Sequence, residues 1–523
     1  MQRRQLLMAS GAAFSAPGIA SAQANRTLKF IPQADLSTLD PHWNTAYVTR
    51  NHGFMVFDTL YGTDAEYNPR PQMVAGHTVE DDGKRWTLTL REGLLWHDGE
   101  KVLAKDCVAS IRRWASRDGF GGTLMSAVDE LSAADDRRIV FRLKRPFPML
   151  PNALGKFGVY MPAMMPERLA MTPATTQVTE MVGSGPFRFV ASERVSGARA
   201  IYARNERYVP AEGTPSGTAG AKVVHLDRVE WLTTPDPSTA ANALQAGEVD
   251  WWDFATPDLL PLLRRNRNLT VAVLDRAGYM ASFRMNHLHA PFDKPAVRRA
   301  VLRAINQQDS MIAGAGSDPA MWRVPCGVFT PGSPLASDAG FDGMTADIEA
   351  AKRELAAAGY NNEPVVFIVP TDLPHVSAMS EVTADTLKKI GLNVDYRAMD
   401  WGTVLSRRGS KASPAQGGWS CFCTFSAGAD NATPAANTLL RATGQGGWFG
   451  WPEDTVLEGM RDRWFDAPDL AAQQDIARQM QRQAFQSVPF IPLGQYFQAT
   501  AYRNSLSGLI PNFATFWNLR KGA

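Results

Sequence analysis

Polar and apolar residues alternate through Thr27-Leu28-Lys29-Phe30-Ile31 and the run stops at Pro32, which predicts a strand ending in a turn. From Phe54 to Tyr61 the apolar positions follow a helical face that leads to a glycine turn. The texture changes near Pro69. Trp86 to Leu90 and Arg138 to Leu143 alternate as strands, and Ala104 to Trp114 carries a helix pattern between them, so this stretch predicts a small inserted subdomain. Gly183-Ser184-Gly185-Pro186 marks a boundary before the strand that starts at Phe187. A strand over 223–232, a helix over 239–246 and the segment Asp250-Trp251-Trp252-Asp253 then follow in an α/β order. The order recurs in a second region: helices over 297–305, 344–359 and 381–390, and strands over 365–369 and 392–397. This repetition predicts a mainly parallel sheet covered by helices. The glycine-rich interval 408–450 reads as a long functional loop region, and residues 513–519 alternate again as a tail that rejoins the first lobe.

At 523 residues the chain is too long for one hydrophobic core, so two or three domains are expected. A formal net charge of only +2, with 20% charged residues, removes the electrostatic footprint of a nucleic-acid binder. The first residues add a compartment. Arg3 and Arg4 precede a short apolar run through Ile19, and Ala22-Gln23-Ala24 supplies small residues for cleavage, so residues 1–24 read as a removable export signal. Its arginine pair is similar to the twin-arginine type, while Gln5 and Met8 depart from that pattern, and both the Tat-like and the Sec route stay open. No Cys follows the apolar run and no later segment has transmembrane length, so a soluble periplasmic protein is expected. The four cysteines, Cys107, Cys326, Cys421 and Cys423, permit either one bridge from Cys326 to the 421–423 neighbourhood or buried free thiols.

Six segments then stand in order along the chain: Leu39-Asp40-Pro41, Thr59-Leu60-Tyr61, Trp86 to Arg91, Trp96-His97-Asp98-Gly99, Gly183 to Phe187, and Met399-Asp400-Trp401. Together they resemble the extracytoplasmic solute-binding proteins of family 5, receptors for dipeptides, oligopeptides, nickel complexes and related solutes in ATP-driven import. The resemblance implies an α/β, two-lobed periplasmic binding protein-like fold of class II, cluster C, with an extra inserted α+β subdomain in the first lobe. On this chain the first lobe is placed at 25–68, 183–272 and 493–523, the insertion at 69–182 and the second lobe at 273–492. It also implies a monomer that captures a short peptide or related small organic solute between its lobes and hands it to ABC permease subunits. A nickel or metal-chelate receptor is the alternative, and a periplasmic chaperone or sensory adaptor a more distant one.

Peptide-binding relatives pair an acidic residue with the ligand's amino group, and Asp430 is the nearest positional match; local turn hydrogen bonding is its other possible role. Cys421, Phe422 and Cys423 replace the family's usual texture and Asn431 follows Asp430 in place of proline, which keeps a non-peptide solute open. Trp401 and Trp419 are candidate apolar walls, with Tyr47 and Phe425 completing opposite sides. Arg284 or Arg323 can hold a ligand carboxylate, or else serve in salt bridges; Asn286 is expected to hold a backbone turn. The histidines are scattered, and no nucleophile elbow, phosphate loop or zinc-protease helix is present in the sequence. No metal site, cofactor or catalytic residue is therefore expected.

Overall fold

The computed structural model describes residues 26–522, so the expected export signal at 1–24 lies outside the described residues. Leu28 and Phe30 are fully buried, and their strand, Thr27–Ile31, becomes the centre of a seven-stranded sheet. It runs parallel to Arg228–Leu232 and to Trp251–Trp252, while the outer strands Phe187–Phe189, Arg199–Arg204, Leu269–Ala272 and Thr500–Arg503 pair antiparallel. Phe30 packs edge-on at 5.0 Å from both Trp251 and Phe516, so the 513–519 tail does close over this sheet.

A six-stranded sheet follows the order Trp322–Arg323, Ile491–Tyr496, Tyr279–Met285, Cys421–Ala427, Pro364–Pro370, Asn393–Met399. Three of its five pairings are antiparallel, and four of six are antiparallel in the first sheet, so the expected mainly parallel sheet is corrected to two mixed ones. The interval 408–450 is also corrected. Cys421–Ala427 is an interior strand, six of its seven residues buried, and a strand covered on both faces loses the alternation that marks a half-exposed one. The helix expected from Phe54 onward lies earlier, at Tyr47–Val56; all ten of its residues are buried, which removes the polar face from which its limits could be read. All four cysteines are buried free thiols.

Val74–Glu80, Arg85–Leu90, Arg138–Leu143 and Val128–Ala133 form a separate antiparallel sheet. Helix Ala104–Ala115 turns Cys107, Ile111 and Trp114 inward at i, i+4, i+7, and Trp114 Nε1 donates to the Tyr160 carbonyl at 2.6 Å, anchoring the loop around 156–160.

The ordered motifs hold these parts together. Asp40 accepts both guanidinium nitrogens of buried Arg113, at 2.6 and 3.2 Å, and the backbone N–H groups of His42 and Val178. His97 spans the Gly183–Gly185 turn, with Nδ1 facing the Gly183 N–H and Nε2 facing the Gly185 carbonyl. The chain passes between the two large sheets twice, at 273–278 and at 497–499. Ile491–Tyr496 stays paired with Tyr279–Met285 as far as Tyr496, across a register shift between Ala281 and Ser282, so the return to the first sheet begins after 496 rather than at 493. At the first crossing Gly278 has φ +60°, and a Cβ there would meet the Tyr496 carbonyl at 2.5 Å, so the two crossings lie against each other only because this residue has no side chain.

Candidate ligand cleft between the two sheets

Loops from both large sheets face each other across a cavity of about 640 Å³. Gln33, Asp35, Phe254 and Asp258 belong to one side, and Asp372, His375 and Asp400 to the other. Among the described residues the walls contain four carboxylates and no Lys or Arg. Partial burial raises the Asp372 carboxyl from its ordinary value, with the Asp400 and Asp35 charges adding to the effect. Two of these acids also shape the floor. Asp400 caps helix Trp401–Arg407 through the Thr403 N–H at 2.9 Å, and Asp372 accepts the Trp401 N–H at 2.7 Å, which fixes the indole at the start of the helix.

Gln33 is shared with a second, narrow pocket of about 40 Å³. Here four of the expected residues meet: Tyr47, Trp401, Phe425 and Asp430. Tyr47 comes from the first-sheet half, and its hydroxyl crosses the cleft to donate to Asp430 Oδ2 at 2.8 Å while accepting the Ala427 N–H. Its ring stacks on Phe425 with centroids 5.7 Å apart, and the Arg50 guanidinium lies 4.6 Å from the centroid of the same Tyr47 ring. Burial raises the Asp430 carboxyl, against the pull of Lys156, the Tyr47 hydroxyl and Arg50. Gly158, on the loop that Trp114 anchors, touches Asp430 so closely that a Cβ at 158 would overlap Oδ1.

The other three expected contacts lie elsewhere. Trp419 is fully buried against Phe422 and Trp451, and its Nε1 donates to the Ser410 carbonyl. Arg284, also fully buried, donates to the carbonyls of Phe449, Leu439, Pro489 and Trp448 at 2.6–3.4 Å. Arg323 is exposed, with its guanidinium 5.1 Å over Phe497. Charge and aromaticity alone do not say whether such a side chain meets a ligand or the protein's own backbone. Asn286 does hold a turn, bonding the Trp419 carbonyl and the Leu288 N–H.

Sequence reasoning missed Arg408, Asn431 and Trp448, all in the wall of the narrow pocket. A signal was available for Arg408: Trp401, Val404 and Arg408 are spaced i, i+3, i+7, so an arginine occupies the apolar face of a short helix. Such a residue needs a buried partner.

Beside the cleft, burial pushes Asp253 up to about 7, partly offset by Arg50. The folded protein thus keeps a proton that the unfolded chain releases above its ordinary value of about 4. Stability from this group is complete below about pH 4 and is lost as pH rises to about 7. Urea midpoints measured across that interval should fall with pH in the native sequence and fall less steeply in Asp253→Asn; parallel slopes in the two proteins would contradict this.

Among known proteins, the family described as Bacterial extracellular solute-binding proteins, family 5 Middle, matches residues 68–439. A probable peptide ABC transporter periplasmic-binding protein of Sinorhizobium fredii is 38% identical, over 100% of this chain and 99% of its own length. A glutathione-binding protein of Salmonella paratyphi A is 24% identical over 91% of this chain and 90% of its own. Among solved structures, an agropinic acid complex of the periplasmic binding protein AgaA from A. tumefaciens R10 superposes with a TM-score of 0.80 at 21% identity, covering 95% of this chain and 99% of that one. The oligopeptide-binding protein AppA of Bacillus subtilis, solved with a nonapeptide, has the same score at 17% identity, covering 95% and 99%.

Proposed function

Because this chain belongs to the family 5 bacterial extracellular solute-binding proteins, with their two-lobed α/β fold, we propose that it is the periplasmic receptor of an ABC importer. It captures a short peptide or related small organic solute between the lobes and delivers it to the permease. The observation that carries this reading is the cavity of about 640 Å³ walled by loops of both sheets, a size suited to such ligands. The crossings at 273–278 and 497–499 serve as the hinge, with the lobes built on the seven-stranded and six-stranded sheets. A solute in the cavity touches both lobes, so its contacts form only on closure and favour the closed arrangement. Of the seven contacts expected from the sequence, Tyr47, Trp401, Phe425 and Asp430 are the ones retained here, with Asp430 receiving an ammonium group.

The test is equilibrium binding of the mature protein to dipeptides, oligopeptides, opines and nickel chelates, paired with small-angle scattering. A ligand that binds and reduces the radius of gyration is the expected result. If nothing in the panel binds or changes the shape, the receptor reading fails.

A further inference from the structure

Three donors in the wall of the narrow pocket have no acceptor among the described residues: Arg408 Nε, Asn431 Nδ2 and Trp448 Nε1. All three are buried, and a buried donor without an acceptor is costly, so three in one pocket mark a place made for acceptor atoms from outside the chain. Arg408 is the most telling. Its side chain is 2% exposed, and Nη2 donates to Thr45 across the cleft at 2.7 Å. The guanidinium lies 4.9–5.6 Å from the rings of Phe449, Trp448 and Trp401, and no carboxylate pairs with it among the described residues. A buried cation without a counter-ion is destabilising unless an anion arrives. Among the described residues Arg408 is also the only Lys or Arg in the walls of either cleft cavity, the larger of which carries four carboxylates. An anionic group of the solute finds its match only here.

The same pocket holds Asp430, which forms no ion pair with Arg408. An acidic and a basic side chain thus share one small space without pairing. We infer that the narrow pocket receives a zwitterionic α-amino acid head, its ammonium on Asp430 and its carboxylate on Arg408, Asn431 and Trp448. The favoured solutes keep a free carboxylate next to the ammonium, as side-chain-linked peptides do and as an ordinary α-peptide, whose first carboxylate is an amide, does not. The remainder of the solute extends past Gln33 into the larger cavity. This inference rests on the receptor reading above and narrows its ligand class.

Calorimetry with γ-glutamylalanine and its isomer α-glutamylalanine tests it, since alanine joins the side-chain carboxyl in the first, leaving the head carboxylate free, and the head carboxyl in the second. The γ-isomer should bind about 30-fold more tightly or better, and converting its head carboxylate to a carboxamide should remove that advantage in the native protein. Arg408→Gln should equalise the isomers. If that variant misfolds, the carboxamide comparison decides the matter with the native protein alone. Equal binding of the isomers, or undiminished binding of the carboxamide, overturns the head-group inference and leaves the receptor reading standing where α-peptides still close the lobes. If nothing tried binds or closes them, both fall together.

Discussion

Arg284→Met should cost about 3–5 kcal/mol of stability, because three carbonyls within 2.6–2.9 Å and a fourth at 3.4 Å lose their donor at once. A competing effect has the opposite sign. The guanidinium is fully buried without a carboxylate partner, and burial pulls it down to about 9, so its removal relieves a desolvation cost. The carbonyls decide the outcome. Hydrogen bonds to a charged donor contribute about 1.5–3 kcal/mol each, and a methionine of similar reach donates to none of them. The loss should be local in origin, since Leu439, Trp448 and Phe449 belong to one segment that Arg284 ties to the strand Tyr279–Met285. Hydrogen exchange should therefore show faster opening at 439–450, together with a lower denaturation midpoint. A variant that melts normally yet loses ligand carboxylate recognition would restore Arg284 to the role its sequence suggested and remove this one.

That exchange of roles shows what the sequence can carry. Strand and helix texture identified most elements, since Leu28, Phe30, Ile111 and Trp114 are buried at the positions their spacing predicts. It failed where burial is complete, as at Tyr47–Val56 and Cys421–Ala427, because a segment covered on all sides has no polar face to mark its period. The site divided along a related line. Trp401 and Asp430 were singled out from motif positions and Tyr47 and Phe425 as aromatic walls, and the four converge on one pocket although 383 residues separate Tyr47 from Asp430. Arginines were harder. Arg284 and Arg408 are both buried and both stack on Trp448, and they differ only in whether backbone carbonyls occupy the guanidinium. Three-dimensional bookkeeping of donors and acceptors separates the two, and no pattern along the chain does.

The same bookkeeping gives Asp430→Asn two effects of opposite sign. Affinity for an ammonium-bearing solute should fall by about 30-fold to several thousand-fold, the range for breaking a desolvated charge pair. Stability of the empty protein should hold or rise. Burial keeps the Asp430 carboxyl above its unfolded value, so at neutral pH the folded state must either retain a proton the unfolded chain has released or bury the charge. An amide carries neither cost and its oxygen still accepts from Tyr47. Gly158→Ala supplies the steric control, since its methyl group would displace the Asp430 carboxylate while leaving the charge intact, and it should weaken the same ligand. Residues that serve only the fold lose stability when altered; a group kept at a cost to the empty fold is one that the ligand repays. Calorimetry with γ-glutamylalanine and its N-acetyl form, beside melting curves at neutral pH, separates these cases. Unchanged binding in Asp430→Asn, or a marked fall in its melting temperature, would return Asp430 to the role of a structural turn carboxylate.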